Sequence, residues 1–179
     1  MKIKKYKFKK VINTNKTAIR IINKTKLDYG MIISDLQKNG KGQYGRKWIS
    51  YKGNLFISFF FNISKIKHPI NKITKINCLL VKKLISKYYK KKIFLKSPND
   101  LLIRKKKISG ILQETLFKNN EKYLIIGIGL NVIKSPKIKN YPTTNLLEIT
   151  KKNFNTRYLA NQLKFIFEKN FSKYYRMIN

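Results

Sequence analysis

Glycines 40, 42 and 45 are interleaved with Lys41, Arg46 and Lys47, and the one tryptophan of the chain, Trp48, follows them. A glycine has no Cβ, so its backbone N–H can come close to a ligand. Successive exposed N–H groups beside cations make an anion site. The stretch from Asp35 to Leu55 therefore reads as a phosphate-holding loop, entered by one apolar run (Met31 to Leu36) and left by another (Leu55 to Phe61).

Three further stretches carry candidate chemistry. Carboxylates are scarce, 7 against 42 Lys and Arg, so Asp100 and Glu114 stand out. Asp100 ends K-S-P-N-D, where Pro98 imposes an extended or turn geometry. Its carboxylate could coordinate Mg²⁺ or orient an incoming amine, or it could close an Asx turn. Lys107 opens K-I-S-G-I-L-Q-E, next to a glycine, Gly110, that permits close approach. Gly127 and Gly129 lie inside an apolar strand, which marks a bulge, a ligand against the backbone or tight sheet packing. Asn131, two residues on, would offer its amide to a base or ribose.

Gly40 to Gly45 satisfies G-x-G-x-x-G, but a dinucleotide fold also needs a helix opening at the loop and an acidic residue about 20 positions on. Arg46 to Gly53 is a poor helix start, and no carboxylate occurs between Asp35 and Asp100. The H-R-D and D-F-G elements of protein kinases and the P-loop pattern are absent too.

The elements that must position these residues read as follows. Tyr6 to Ile12 alternates as a strand. Asn13-Thr14-Asn15 offers caps for a helix that Gly30 ends. Met31 to Leu36 is a short strand. Leu55 to Ile63, apolar on both faces, reads as a central strand covered on both sides. His68-Pro69 breaks the chain, and Asn71 to Tyr89 repeats apolar residues every three or four as an amphipathic helix, with Cys78 near its polar flank. Ile93 to Lys96 is a strand. Leu101 to Ile103 and Lys107 to Phe117 flank a basic tetrad as a hairpin, Glu121 to Val132 is a strand, Ser135 to Thr144 is loop, and Phe154 to Tyr175 is a helix. Hairpin strands with few helices argue for an α+β fold with a mixed, largely antiparallel sheet, and the 179 residues suit one domain.

The formal charge of +35 points to nucleic acid or an anionic surface. Lys, Asn and Ile are enriched in cores and loops alike, however, so composition bias is the favoured reading and a basic nucleic-acid-binding module the alternative. One cysteine and one histidine leave no disulfide, no zinc constellation and no Cys-His pair. The basic N-terminus has no apolar run behind it, so it is not a secretory signal. No run approaches membrane-spanning length. A soluble, cytoplasmic protein is expected.

Together and in this order, these stretches resemble the catalytic domain of biotin–protein ligases. The family pattern Q-x-x-G-R-G-R-x-G-R-x-W is similar to Gln37 to Trp48, K-W-P-N-D-[LI] to Lys96 to Leu101, and K-[LI]-[AS]-G-I-L-x-E to Lys107 to Glu114. G-I-G-[LI]-N-V is matched throughout by Gly127 to Val132, and the S-T-N that opens the first helix of the family survives partly as Asn13-Thr14-Asn15. The resemblance implies the biotin/lipoate ligase catalytic fold, related to class II synthetases, over residues 1–179. It also implies a two-step, ATP- and Mg²⁺-dependent reaction: biotin and ATP give biotinyl-5′-AMP, and a lysine of a biotin carboxyl carrier protein then takes the biotin.

By the same resemblance, Lys107, Arg46, Lys41 and Asp100 are catalytic. Thr14, Asn15, Gln37, Gly40, Gly42, Gly45, Trp48 and Gly110 hold substrate, and Lys96, Asn99, Gly129 and Asn131 hold ATP. No residue is assigned directly to metal. The loop is expected to close over the adenylate. Lys41 and Gln43 stand where the family has arginines, Ser97 where it has tryptophan, and Asn13 where it has serine. Neither an N-terminal DNA-binding module nor an SH3-like C-terminal domain is expected, so no repressor role is; the resemblance allows two copies to pair as a homodimer without requiring it. A lipoate–protein ligase is the alternative within the superfamily. Its R-R-x-S-G-G-G motif is missing.

Overall fold

The computed structural model describes residues 2–65 and 70–175. The expected break at His68-Pro69 lies outside the described residues. The chain runs β1 (Lys5–Phe8), α1 (Thr14–Lys24), β2 (Tyr29–Ser34), β3 (Gly40–Lys41), β4 (Lys47–Trp48), β5 (Leu55–Asn62), α2 (Ile70–Ile85), β6 (Phe94–Lys96), β7 (Asp100–Ile103), β8 (Lys106–Lys118), β9 (Glu121–Leu130), α3 (Leu146–Thr150) and α4 (Thr156–Tyr175). One sheet has the order β1-β2-β5-β9-β8-β7-β6. β1 is parallel to β2, and the other neighbours are antiparallel. β3 and β4 pair apart from it as a two-stranded ribbon. This is the expected mixed, mostly antiparallel α+β architecture.

β5 sits in the middle because both its faces are apolar. Successive strand residues point to opposite sides. Ile57, Phe59 and Phe61 join the core that includes residues of α2 and α4, while Phe60 packs with Ala18 and Ile22 of α1. Phe59 stacks on Phe167 of α4 with ring centroids 4.1 Å apart. α1 starts where Asn13 caps it: its Oδ1 accepts the backbone N–H of Lys16 at 2.7 Å. Both long hairpins turn on paired residues of positive φ, Arg104 and Lys105 in one and Asn119 and Asn120 in the other, the conformation that matches strand twist in two-residue turns.

Several expectations are corrected. Gly30 does not end α1. The helix stops at Lys24, capped by Thr25, and Gly30 lies inside β2 opposite Phe60. A Cβ there would fall 2.4 Å from the Phe60 ring, so a glycine is needed for packing. The first strand ends at Phe8, and Val11 makes only an isolated bridge with Gln37. Cys78 is fully buried, not on a polar flank. α2 contacts both α4 and the strands β7 and β8, so its buried arc is wider than a one-sided amphipathic helix would have. Burial pushes the Cys78 thiol up to about 12. The short helix α3 was not anticipated. Among the described residues no helix is long and apolar enough to cross a membrane.

Candidate functional site

On the α1 side of β9 the alternate residues are Tyr123, Ile125, Gly127 and Gly129. The first two pack with α1, and the next two have no side chains to do so. A cleft of about 600 Å³ opens where the side chains stop. Gly129 is paired directly with Gly110 of β8, so two glycines side by side make a flat patch of bare backbone. The Trp48 indole lies on it: a Cβ at Gly129 would come within 2.4 Å of Trp48 Cε2, and one at Gly110 within 2.9 Å of Cζ3. The strand registers on both sides of β9 are unbroken. These glycines therefore mark close approach by side chains and not a bulge. Gly127 receives Asn15, whose Oδ1 would be 2.4 Å from an added Cβ.

The α1 end of the cleft is a polar network. The Thr14 backbone N–H donates to Gln37 Oε1 at 2.9 Å and its hydroxyl to the same oxygen at 3.2 Å. Gln37 Nε2 donates to Ser50 Oγ at 3.3 Å. Asn15 Nδ2 donates to Glu114 Oε2 at 2.6 Å, and Ser58 Oγ donates to Asn15 Oδ1. Asn13 Nδ2 reaches the Asn39 carbonyl at 3.3 Å, which ties the helix start to the base of the β3–β4 ribbon. All of Thr14, Asn15 and Gln37 line the cleft.

The other end is cationic. Lys107 Nζ pairs with Asp100 Oδ1 at 2.8 Å, with side chains only 19% and 13% exposed. It also stands 5.3 Å from the Trp48 ring, within cation–π range. Asp100 Oδ2 accepts the Tyr141 hydroxyl at 2.6 Å. Asn99 is fixed to β8 by its Nδ2 donating to the Ile111 carbonyl at 2.6 Å. Lys96 lies on the rim, 4.4 Å from the Tyr141 ring. Asn131 is buried, donates to the Thr144 carbonyl at 3.1 Å and leaves its Oδ1 without a partner among the described residues. Trp48 Nε1 is likewise buried and unpaired there.

Of the residues expected from sequence, the structure gathers Lys107, Arg46, Lys41, Asp100, Thr14, Asn15, Gln37, Gly42, Trp48, Gly110, Lys96, Asn99, Asn131 and Gly129 around this one cleft. Gly40 and Gly45 are not in its lining. At Gly40 a Cβ would meet the Trp48 carbonyl at 2.5 Å, so that glycine serves the ribbon pairing; Gly45 has φ +74° and open space around it, so it serves the turn. Lys41 and Arg46 line the cleft with exposed side chains. Sequence reasoning missed Tyr141, Ile138 and Thr143, which also line the cleft. They come from a proline-containing loop without periodicity, and only the aromatic in that loop was a signal.

The donor set does not suit a resident metal. Among the described residues there is no group of three or more His, Cys, Asp or Glu that could hold one, and both Asp100 oxygens are engaged by Lys107 and Tyr141.

Comparison with known proteins adds to this geometry. The model of the biotin/lipoate A/B protein ligase family matches residues 8–131. The chain is 30% identical over 126 residues to the bifunctional ligase/repressor BirA of Bacillus subtilis, a match that covers 69% of this chain and 39% of that protein. It is 29% identical over 102 residues to the corresponding protein of Escherichia coli, covering 56% of this chain and 32% of that one. These matches thus span roughly a third of the length of the curated relatives, 39% and 32%. Among solved structures, the biotin protein ligase of Aquifex aeolicus in complex with biotin and ATP superposes with a TM-score of 0.81 at 27% identity, covering 96% of this chain and 72% of that one.

Proposed function

Because this chain belongs to the biotin/lipoate A/B protein ligase family, we propose that it is an ATP-dependent biotin–protein ligase. It would form biotinyl-5′-AMP and pass the biotin to a lysine of a biotin carboxyl carrier protein. One observation carries the reading: Lys107, set between Asp100 and the Trp48 ring, shares one cleft with the Thr14–Gln37 network and with the ribbon cations Lys41 and Arg46. Cations thus converge where a carboxylate and a triphosphate, both anions, would have to meet.

In the first step an oxygen of the biotin carboxylate attacks the α-phosphorus of ATP, and the bond to pyrophosphate breaks. Lys107 and the ribbon cations offset the repulsion and stabilise the charge that builds at phosphorus. The Thr14 hydroxyl and the Gln37 amide hold the polar end of biotin, Trp48 covers its apolar part, and Asn131 with its free Oδ1 takes the nucleoside side, beside Lys96 and Asn99. In the second step the ε-amine attacks the acyl carbon, AMP departs, and the amine gives up a proton. Mg²⁺ enters with ATP as part of the substrate, since the side chains of the described residues do not form a site of their own for it. Closure of the ribbon over the cleft would keep water from the mixed anhydride. We place the protein in the cytoplasm, a compartment that supplies ATP. Pairing of two copies is compatible with this chemistry and is not required by it.

The test is mass spectrometry of a biotin carboxyl carrier fragment incubated with the protein, ATP and biotin. One biotinyl mass on one lysine is expected. No added mass with biotin, but one with lipoate, would move the assignment to the other branch of the family.

A further inference from the structure

Tyr141 lies beyond the residues matched by the family model, which end at 131. It sits on the loop between β9 and α3, and that loop is laced to β8 beside the reaction centre. The Lys107 backbone N–H donates to the Pro142 carbonyl at 2.8 Å, and the Thr144 N–H donates to the Lys107 carbonyl at 2.9 Å. The backbone bearing Tyr141 is therefore fixed relative to Lys107. Its hydroxyl donates to Asp100 Oδ2 at 2.6 Å while Lys107 holds Oδ1 at 2.8 Å. Its ring stands 4.4 Å from Lys96 Nζ and 5.5 Å from Lys107 Nζ.

Asp100 thus has two partners, an ion pair with Lys107 and a hydrogen bond from Tyr141, and the ligase reaction must borrow the first. When Lys107 turns to the α-phosphate, Asp100 Oδ1 is released in a half-closed cleft. The cations near it, Lys96 of β6 and Arg46 of the ribbon, could then draw the carboxylate away. We propose that Tyr141 is a positioning residue for the second half of the reaction: its hydroxyl holds Oδ2 so that the freed Oδ1 stays aimed at the incoming amine. There the amine nitrogen bonds to the acyl carbon, the acyl C–O bond to AMP breaks with its electron pair leaving on the phosphate, and the proton of the amine passes to Oδ1. Tyr141 keeps its own proton throughout. Burial first, then the hydrogen bond to Asp100 and its charge, raise its pKa well above that of an ordinary tyrosine, against a lowering by Arg46. Behind the carboxylate, the buried Cys78 of α2 stays protonated in its presence.

This inference rests on the ligase reading, and the experiment separates the two. Wild type, Tyr141→Phe, Asp100→Asn and the double variant are compared in two assays. One is biotin-dependent exchange between pyrophosphate and ATP; the other is single-turnover transfer from preformed adenylate to a carrier fragment. Tyr141→Phe should leave exchange within about twofold, because Lys107 and Asp100 remain paired. It should slow transfer about tenfold, the cost of one hydrogen bond to a charged group, in the limiting rate and not in the carrier concentration that gives half of it. On the Asp100→Asn background it should add nothing. Equal losses in both assays with a fall in Tm, or unchanged transfer, would overturn the role of Tyr141 alone. A wild-type protein inactive in both assays would overturn the ligase reading and this inference with it.

Discussion

Placing a methyl group at Gly129 tests whether the glycine platform exists to seat Trp48. The added Cβ would lie 2.4 Å from Trp48 Cε2 and Cζ2, whereas carbon atoms rest at about 3.5–4.0 Å, so the indole must retreat by roughly 1 Å. The ribbon carrying Trp48 pairs only with itself, Gly40 with Trp48 and Lys41 with Lys47, so it can yield without disturbing the main sheet. An overpacked contact costs about 1–3 kcal/mol. Here that cost falls on the covered state of the cleft, weakening biotin binding by about 5- to 150-fold with little change in Tm. Gly127→Ala is the control. Its Cβ would meet Asn15 Oδ1 at 2.4 Å, inside a network locked by Ser58 and Glu114. The same about 1–3 kcal/mol then falls on the fold, and Tm drops by about 2–12 °C. Calorimetric titration with biotin and thermal unfolding read the two effects separately. If Gly129→Ala binds biotin like the wild type, or if both variants lose Tm equally, the platform does not act through Trp48.

Three other outcomes follow from the site and the core. Lys107→Ala should cut biotin-dependent pyrophosphate exchange by about 100-fold or more, as losing a donor to a charged transition state does; exchange within a few-fold of wild type would remove Lys107 from the first step. Gln43→Arg should slow escape of the adenylate by about two- to fivefold, the scale of an exposed ion pair, measured as the half-life of labelled adenylate on the protein; an unchanged half-life would show that position 43 does not reach the phosphate. Cys78 and Tyr123 are acids whose neutral forms burial favours, with pKa values raised from 9.0 and 10.0 to about 12 each. Their contribution is complete below the unfolded pKa values and is lost as pH rises toward 12. Wild type should therefore lose more Tm between pH 9 and 11 than Cys78→Ala does, and equal slopes would contradict the buried thiol.

What could be read from sequence is what repeats or clusters locally. The interior place of β5 follows from a run, Leu55–Phe61, in which Ser58 alone is polar, because only a strand covered on both faces tolerates such a run. The glycine ribbon, K-S-P-N-D and G-I-G-L-N-V were legible as constrained backbone near charge, and they do meet in one cleft. Features set by distant partners were not legible. Gly30 looks like a helix stop until the Phe60 ring is seen lying over it. Cys78 looks peripheral because periodicity cannot show that α2 is covered from two sides. Tyr141 is one aromatic in a proline-containing loop, and its meaning comes from a carboxylate 41 residues earlier in the chain.

The order of the strands also decides when the cleft can come into being. β5 finds its inner neighbour only in β9, Leu55 opposite Leu130, with α2 and three strands made in between. Contacts so far apart in the chain form slowly, since a long loop must close before they return any energy. During synthesis Trp48 emerges long before Gly110 and Gly129, and until β8 and β9 arrive it has no platform to rest on. A chain stalled before residue 121 would have α1, α2 and β2 against β5, but its β9-facing edge would be unpaired and Trp48 would lack Gly129 beneath it. The reaction centre is thus among the last parts of this protein to be assembled, and the unpaired edge of β5 is where premature chains would associate.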